Sequence, residues 1–252
     1  MDTRVRFAAL HQTGIFVMPN PHDVGSARIL AELGFDALAT TSAGLAGTLG
    51  LPDMHITRDQ LLDHVRVMSQ ATALPLSVDA ENGFADDADG VADTVTALAR
   101  AGAAGCSIED YDPKMDAITP FPEALDRVRA AAEAASAAGL TLTARCENHL
   151  HGVRDLDDTI TRLRAYAEVG AGCVYAPGLL RPADIARVVA EVPAPVNVLL
   201  LPGGPTVAEL ADLGVRRVSV GSVIFRLALD AYVRAATSVR DQGVYPPPVP
   251  AT

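Results

Sequence analysis

Seven polar side chains carry most of the chemistry available to this sequence. Asp79 and Glu81 stand two apart in LSVDAENGF, Glu109 and Asp110 end GCSIED, Arg145 and Glu147 stand two apart in LTLTARCENHL, and Asp53 lies in GLAGTLGLPD. Residues two apart on a strand share a face, so Asp79 with Glu81, and Arg145 with Glu147, each aim at one place. Carboxylates crowded into a partly buried mouth repel one another unless a cation sits among them. Oxygen donors with no histidine or thiolate cluster suit Mg2+ or Mn2+ better than Zn2+, with some of the acids acting through bound water. The metal set read here is Asp79, Glu81 and Glu109 from strand ends and Asp53 from a loop. Arg145 offers a planar fork for a substrate carboxylate or phosphonate. The bland alternative is a set of strand-end ion pairs with Arg145 bound to Glu109 or Glu147. For the whole constellation the metal site is the stronger reading.

The elements that must place these groups follow from pattern. Short Val-, Ile-, Leu- and Ala-rich runs alternate with stretches of helical period, as in βα units around a parallel sheet. Eight strands are expected: Ile15 to Asn20, Ala37 to Ser42, Leu74 to Glu81, Ala104 to Asp110, Leu140 to Glu147, Cys173 to Pro177, Pro195 to Leu200 and Arg217 to Gly221. Helices are expected to begin near Asp23, Thr57, Asp87, Pro120, Leu156, Arg181, Thr206 and Val223. The texts AELGFDAL, ARAGAAGCS, EVGAGCVY and ADLGVRRVS repeat one device, a helix end, a glycine turn and a strand start. Eight such units favour an α/β fold of the (β/α)8 TIM-barrel type over an open doubly wound sheet. A single barrel domain over residues 1–243 is expected, with a proline-rich tail over 244–252. In a barrel, functional groups come from the C-terminal strand ends and the loops after them, which is where the acids fall.

Composition narrows the function classes. The 252 residues are 49% hydrophobic and 20% charged, which suits strands buried on both faces and argues against disorder. A net charge of −11 with no basic, aromatic-interleaved run argues against nucleic-acid binding. No apolar run reaches membrane-spanning length, and MDTRVRFAALHQTG lacks a signal-peptide core, so no membrane association and a cytoplasmic location are expected. Cys106, Cys146 and Cys173 lack CxxC spacing and read as reduced, structural thiols. His149 and His151 read as solvated loop residues. The pairs Gly203-Gly204 and Gly221-Ser222 read as turns, with phosphate binding the weaker alternative.

The runs NPHDVGSARILAELGFDALATTSAGLAGTLGLPD, LSVDAENGF, GCSIEDYDPK and TARCENHLHG resemble the isocitrate lyase/phosphoenolpyruvate mutase superfamily, as a carboxyvinyl-carboxyphosphonate phosphorylmutase-like member would. The resemblance runs from about Asn20 to the last helix. It implies a (β/α)8 barrel whose eighth helix is often exchanged between subunits of a homodimer or homotetramer, and an Mg2+ site for small α-oxo-carboxylates or their enolates. It implies Asp79 as the direct metal ligand, Asp53, Glu81 and Glu109 as holders of metal-bound water, and Arg145 as the substrate anchor. Thr41, Ser42 and Ala43 match the segment whose amides and hydroxyl receive the substrate carboxylate.

Two departures narrow the reaction. The superfamily's C–C lyases carry a cysteine acid in the loop after the fourth strand, whereas here that loop reads YDPKMDAITPF, with Lys114 but no cysteine or histidine. The phosphonate enzymes' Lys-then-Asn version is also absent, and Pro177 stands where the mutases place a histidine. The expectation is an Mg2+-dependent lyase that breaks or forms a C–C bond beside an α-oxo-carboxylate without the usual loop cysteine. Tyr111, Lys114 and Glu147 are the candidates for moving the proton, and Tyr111 to Phe121 is expected to close as a lid. A phosphonopyruvate hydrolase or mutase-like P–C enzyme and a non-catalytic oxo-acid-binding barrel stay open beside it.

Overall fold

The computed structural model describes residues 2–245. Its main sheet comprises β1 (Phe16–Met18), β2 (Leu38–Ala39), β3 (Leu76–Asp79), β4 (Gly105–Glu109), β7 (Thr141–Arg145), β8 (Cys173–Tyr175), β9 (Val196–Leu199) and β10 (Arg217–Ser219), all parallel. Between β4 and β7, the short strands β5 (Tyr111–Asp112) and β6 (Ala117–Ile118) pair as an antiparallel hairpin. The order β1-β10-β9-β8-β7-β4-β3-β2 leaves one seam, between β1 and β2. There the Ala39 amide donates to the Pro19 carbonyl at 3.0 Å and Asn20 Nδ2 to the Thr40 carbonyl at 2.9 Å. The sheet therefore curls into a (β/α)8 barrel. Each of the eight strands lies inside the run read from sequence. The tail over 244–252 falls almost wholly outside the described residues.

The outer helices are α2 (Val24–Glu32), α4 (Arg58–Ala71), α5 (Ala88–Ala101), α6 (Phe121–Ala138), α7 (Leu156–Glu168), α8 (Pro182–Glu191), α9 (Val207–Asp212) and α10 (Val223–Gln242). Local chemistry sets their ends. Thr57 and Gln60 form a reciprocal capping box at α4, and α6 opens on Pro120 with no side-chain cap. Gly102 ends α5 at φ +105°, and a Cβ there would lie 2.5 Å from Ser69 Oγ, so glycine is required both by conformation and by space.

Two helices were not legible in the sequence. Helix α1 (Thr3–Leu10) buries only Phe7, which sits under the barrel with its ring edge-on to Phe16 at 6.3 Å. Helix α3 (Ser42–Thr48) reads SAGLAGT, whose two glycines are poor helix formers. Both are needed for space: a Cβ on Gly44 would lie 2.5 Å from Thr41 Cγ2, and one on Gly47 would lie 2.5 Å from Phe225 Cζ.

Phe225 is the sole buried residue of α10, which leaves Leu227, Leu229, Tyr232 and Val233 exposed. No helix among the described residues is long and apolar enough to cross a membrane.

Candidate active site

Register brings the mouth together. Parallel pairing aligns Asp79 with Ser107, Glu109 with Arg145, and Arg145 with Tyr175. Their side chains therefore share the inner face of β3, β4, β7 and β8. The Asp79 amide donates to Thr40 Oγ1 at 2.9 Å, which ties the end of β3 to that of β2.

At the centre lies Arg145. Its Nε donates to Glu147 Oε1 at 2.8 Å, Nη1 to Asp79 Oδ1 at 2.8 Å, and Nη2 approaches Glu109 Oε2 at 3.1 Å. The guanidinium also lies over the Tyr175 ring, 5.4 Å from its centroid. Both ion pairs of the bland alternative are thus present, together with a third to Asp79. Asp79 Oδ2 accepts the Ser42 amide at 3.2 Å, and Ser42 Oγ donates to Asp53 Oδ1 at 3.3 Å. Thr41 is the N-cap of α3, its hydroxyl accepting the Gly44 amide, and Ala43 lies in the helix's first turn.

One guanidinium faces Asp79, Glu109 and Glu147, with Glu81 and Asp53 beside them. Burial, reinforced by Asp79 and Asp53, pushes the Glu81 carboxyl up to about 8. Burial raises Glu109 well above the carboxylate range and raises Glu147 too, against the pull of Arg145 in both cases. Burial works against the Arg145 cation, but Glu147, Glu109 and Asp79 together hold it charged. Glu81 carries two further marks. Its Oε1 is buried with no hydrogen-bond partner, and its backbone is left-handed at φ +46°. Met54 and Phe84, which with Glu81 line a cleft of about 650 Å3, are left-handed as well. Strain of this sort, of order 1–3 kcal/mol per residue, collects at functional sites.

These features fit a divalent cation. The acids exceed the available positive charge, their donors are hard oxygens, and one buried oxygen lacks a partner. No group of three His, Cys, Asp or Glu among the described residues is gathered as a ready-made cage. The donor set therefore fits an ion held directly by few carboxylates and otherwise by water.

The proposed proton carriers are placed differently from one another. Lys114 points to the surface, where its ammonium pairs with Asp86, so it does not reach the mouth. The Tyr111 hydroxyl donates to Asp116 at 2.6 Å, a bond that raises its pKa to about 12. Its ring stacks on His151 at 3.7 Å, so that histidine, exposed as expected of a loop residue, also helps seat the β5–β6 hairpin. Only Glu147 touches the arginine. Cys146, with Cys106 and Cys173, is buried and free, and burial raises its thiol well above the usual range.

Sequence reasoning missed Ser107, whose hydroxyl lies 3.4 Å from Asp79 Oδ1, and Tyr175 beneath Arg145. Strand phase could have found both, since Ser107 is two residues before Glu109 and Tyr175 two after Cys173. Asp110 turns away from the mouth. It accepts the Glu147 amide at 2.8 Å, the Tyr166 hydroxyl at 2.7 Å and Arg162 Nη1 at 3.1 Å, and so positions Glu147 from behind.

A (β/α)8 barrel with a carboxylate-rich mouth at its C-terminal strand ends defines a class of barrel enzymes. The chain matches the phosphoenolpyruvate phosphomutase family over residues 7–240 and belongs to that family. The protein Rv1998c of Mycobacterium tuberculosis is 36% identical over 97% of this chain and 92% of its own. The 2-methylisocitrate lyase of Escherichia coli K12 is 33% identical over 84% of this chain and 74% of its own. The oxaloacetate decarboxylase of Bradyrhizobium sp. is 33% identical over 79% and 70%. Among solved structures, a Burkholderia cenocepacia J2315 protein provisionally named a lyase/mutase superposes with a TM-score of 0.92 at 50% identity, covering 96% of this chain and 89% of that one. Phosphonopyruvate hydrolase, solved with oxalate and Mg2+, shares the fold with a TM-score of 0.86 at 23% identity, covering 96% and 88%. The chain is therefore an enzyme of the isocitrate lyase/phosphoenolpyruvate mutase superfamily.

Proposed function

We propose that the protein is an Mg2+-dependent lyase, or an Mn2+-dependent one, that breaks or forms a C–C bond next to an α-oxo-carboxylate. The observation that carries this reading is Asp79, held between Arg145 and the Ser42 amide at the centre of an uncompensated acidic mouth. The lyase and decarboxylase relatives support carbon–carbon over phosphorus–carbon chemistry.

Asp79 would hold the ion directly, and Asp53, Glu81 and Glu109 would hold it through water. When bound, the metal supplies electrostatic stabilisation of negative charge on the oxygens of the oxo-acid. Arg145 uses three of its five N–H groups on Glu147, Asp79 and Glu109, which leaves two for the substrate carboxylate. The Thr41–Ala43 segment receives the same carboxylate from the α3 side. Glu147, whose pKa burial raises, is the group that can give up a proton at the carbon left when the bond breaks. The hairpin of β5 and β6 closes over the mouth to exclude water, with Tyr111 and Lys114 as structural anchors of that lid.

The α10 surface of Leu227, Leu229, Tyr232 and Val233 supports assembly as a homodimer or homotetramer with that helix set against a second copy. Light scattering checks this. Three buried free thiols suit a reducing compartment such as the cytoplasm. The reaction is tested by an Mg2+-dependent screen of oxaloacetate, 2-methylisocitrate, 2,3-dimethylmalate and phosphonopyruvate with product analysis. Carbon–carbon cleavage is expected. Phosphate release from phosphonopyruvate overturns that reading for a P–C enzyme, and tight oxalate binding with no product from any compound overturns it for a binding barrel.

A further inference from the structure

Arg217 is a buried cation that the mouth chemistry does not use. It stands at the N-terminal end of β10, only 2% exposed. Nε donates to Asn197 Oδ1 at 2.9 Å, Nη2 to Thr143 Oγ1 at 2.9 Å, and Nη1 approaches His11 Nε2 at 3.3 Å. Each of these partners is neutral. His11 binds the Phe7 carbonyl through Nδ1 at 2.9 Å, which leaves Nε2 as the acceptor, and burial followed by Arg217 lowers its pKa to about 3. No carboxylate pairs with Arg217 among the described residues. A buried charge without a counter-charge is costly, and two of the five guanidinium N–H groups remain after these three bonds.

The surroundings are unusual for a barrel core, which is ordinarily filled by bulky branched side chains. Here Ala39, Ser77, Ser107 and Ser219 face the interior, and the space they leave is a cavity of about 430 Å3. That one cavity is lined by Asp79 and Arg145 at the mouth and by Arg217 and Asn197 at the floor. Thr143, which Arg217 touches, is two residues below Arg145 on β7. Two residues of strand separate the levels by roughly 7 Å. A linear diacid of about five carbons covers that distance, with C–C bonds of about 1.5 Å.

We infer that Arg217, with Asn197 and Thr143, forms a second anion subsite at the floor of the barrel, which takes the far carboxylate of a substrate whose oxo-acid end is held at the mouth. The ligand lies along the barrel axis, and the serine hydroxyls of the middle layer face its carbon chain. The placement of the oxo-acid end rests on the function proposed above; the floor subsite rests on Arg217, its neutral partners and the cavity.

The test compares two ligands of equal length, 2-oxoglutarate and 2-oxopentanoate, by calorimetry with Mg2+ present, alongside oxalate, which reaches only the mouth. The intact protein is expected to bind 2-oxoglutarate at least tenfold more tightly than 2-oxopentanoate. Arg217→Met is expected to erase that preference and leave oxalate affinity within about twofold. Should Arg217→Met not fold, Arg217→Gln is read in its place against the same expectation. Equal binding of the two oxo-acids, or of neither, by the intact protein overturns the subsite, as does a preference that survives loss of the charge. Loss of oxalate binding alone breaks the mouth assignment and leaves the floor comparison readable.

Discussion

Two arginines face one cavity under opposite charge conditions. Arg145 at the mouth is outnumbered by carboxylates, and burial first, then the neighbouring carboxylates, raises the pKa values of Glu81, Glu109 and Glu147. Arg217 at the floor has only neutral partners. The mouth therefore lacks positive charge and the floor lacks negative charge, although both sites are built from strand residues of one barrel. Buried charge that the protein leaves unbalanced is a demand for a ligand of the opposite sign, and here the two demands differ: a cation above, an anion below.

The largest effect that can break this comparison is at Asp79. Asp79→Ala should remove metal binding, read by calorimetry, and lower turnover by at least on the order of 10²- to 10³-fold; retained turnover and metal binding would discard the mouth assignment. Next come the two arginines, compared by urea denaturation. Arg145→Met strands buried carboxylates and should destabilise the metal-free protein by about 3–5 kcal/mol. Arg217→Met loses only bonds to neutral groups and should cost about 1–3 kcal/mol. A reversed order would mean that the floor, not the mouth, carries the structural charge.

A smaller effect is read in pH. Glu81 moves from its usual 4.5 to about 8 in the folded chain. Between those values the unfolded chain has released this proton and the folded chain still holds it, so metal-free stability falls as pH rises from 4.5 to 8. Glu81→Gln should flatten that slope, recovering on the order of a few kcal/mol at pH 8 and above. Mg2+ affinity of the unsubstituted chain should rise over the same window as Glu81 ionises; a flat Mg2+ titration would show that Glu81 takes no part. The smallest effect concerns the lid. Lys114 is 71% exposed in its pair with Asp86, so Lys114→Ala should leave the melting temperature unchanged and lower turnover several-fold. Undiminished rates would discard the anchoring role.

Much of the frame was legible before the structure. The eight strands, the eight helix starts and the glycine turns follow from local pattern, because period and capping are short-range properties. The helix α3 was not legible, since Gly44 and Gly47 depress its propensity, and Gly47 is needed for a contact with Phe225 that no local window contains. The site divides in the same way. Asp79, Glu109 and Arg145 could be named from strand ends, yet Lys114, conspicuous in its loop, turns out to be a surface pair with Asp86. Arg217 passed as an ordinary strand start, because a sequence does not say which charges lack partners.

The sequence by itself determined the alternation of strand and helix, the barrel that eight such units favour, and the acidic character of the strand ends. Those are carried by residue type and by spacing over a few positions. Only the tertiary structure decided which charges balance. Parallel register put Glu109, Arg145 and Tyr175 in one row, left Glu81 Oε1 without a partner, and set Arg217 against His11, 206 residues away in the chain. Burial and Coulomb energy depend on distances through space, and those distances exist only once the barrel has closed.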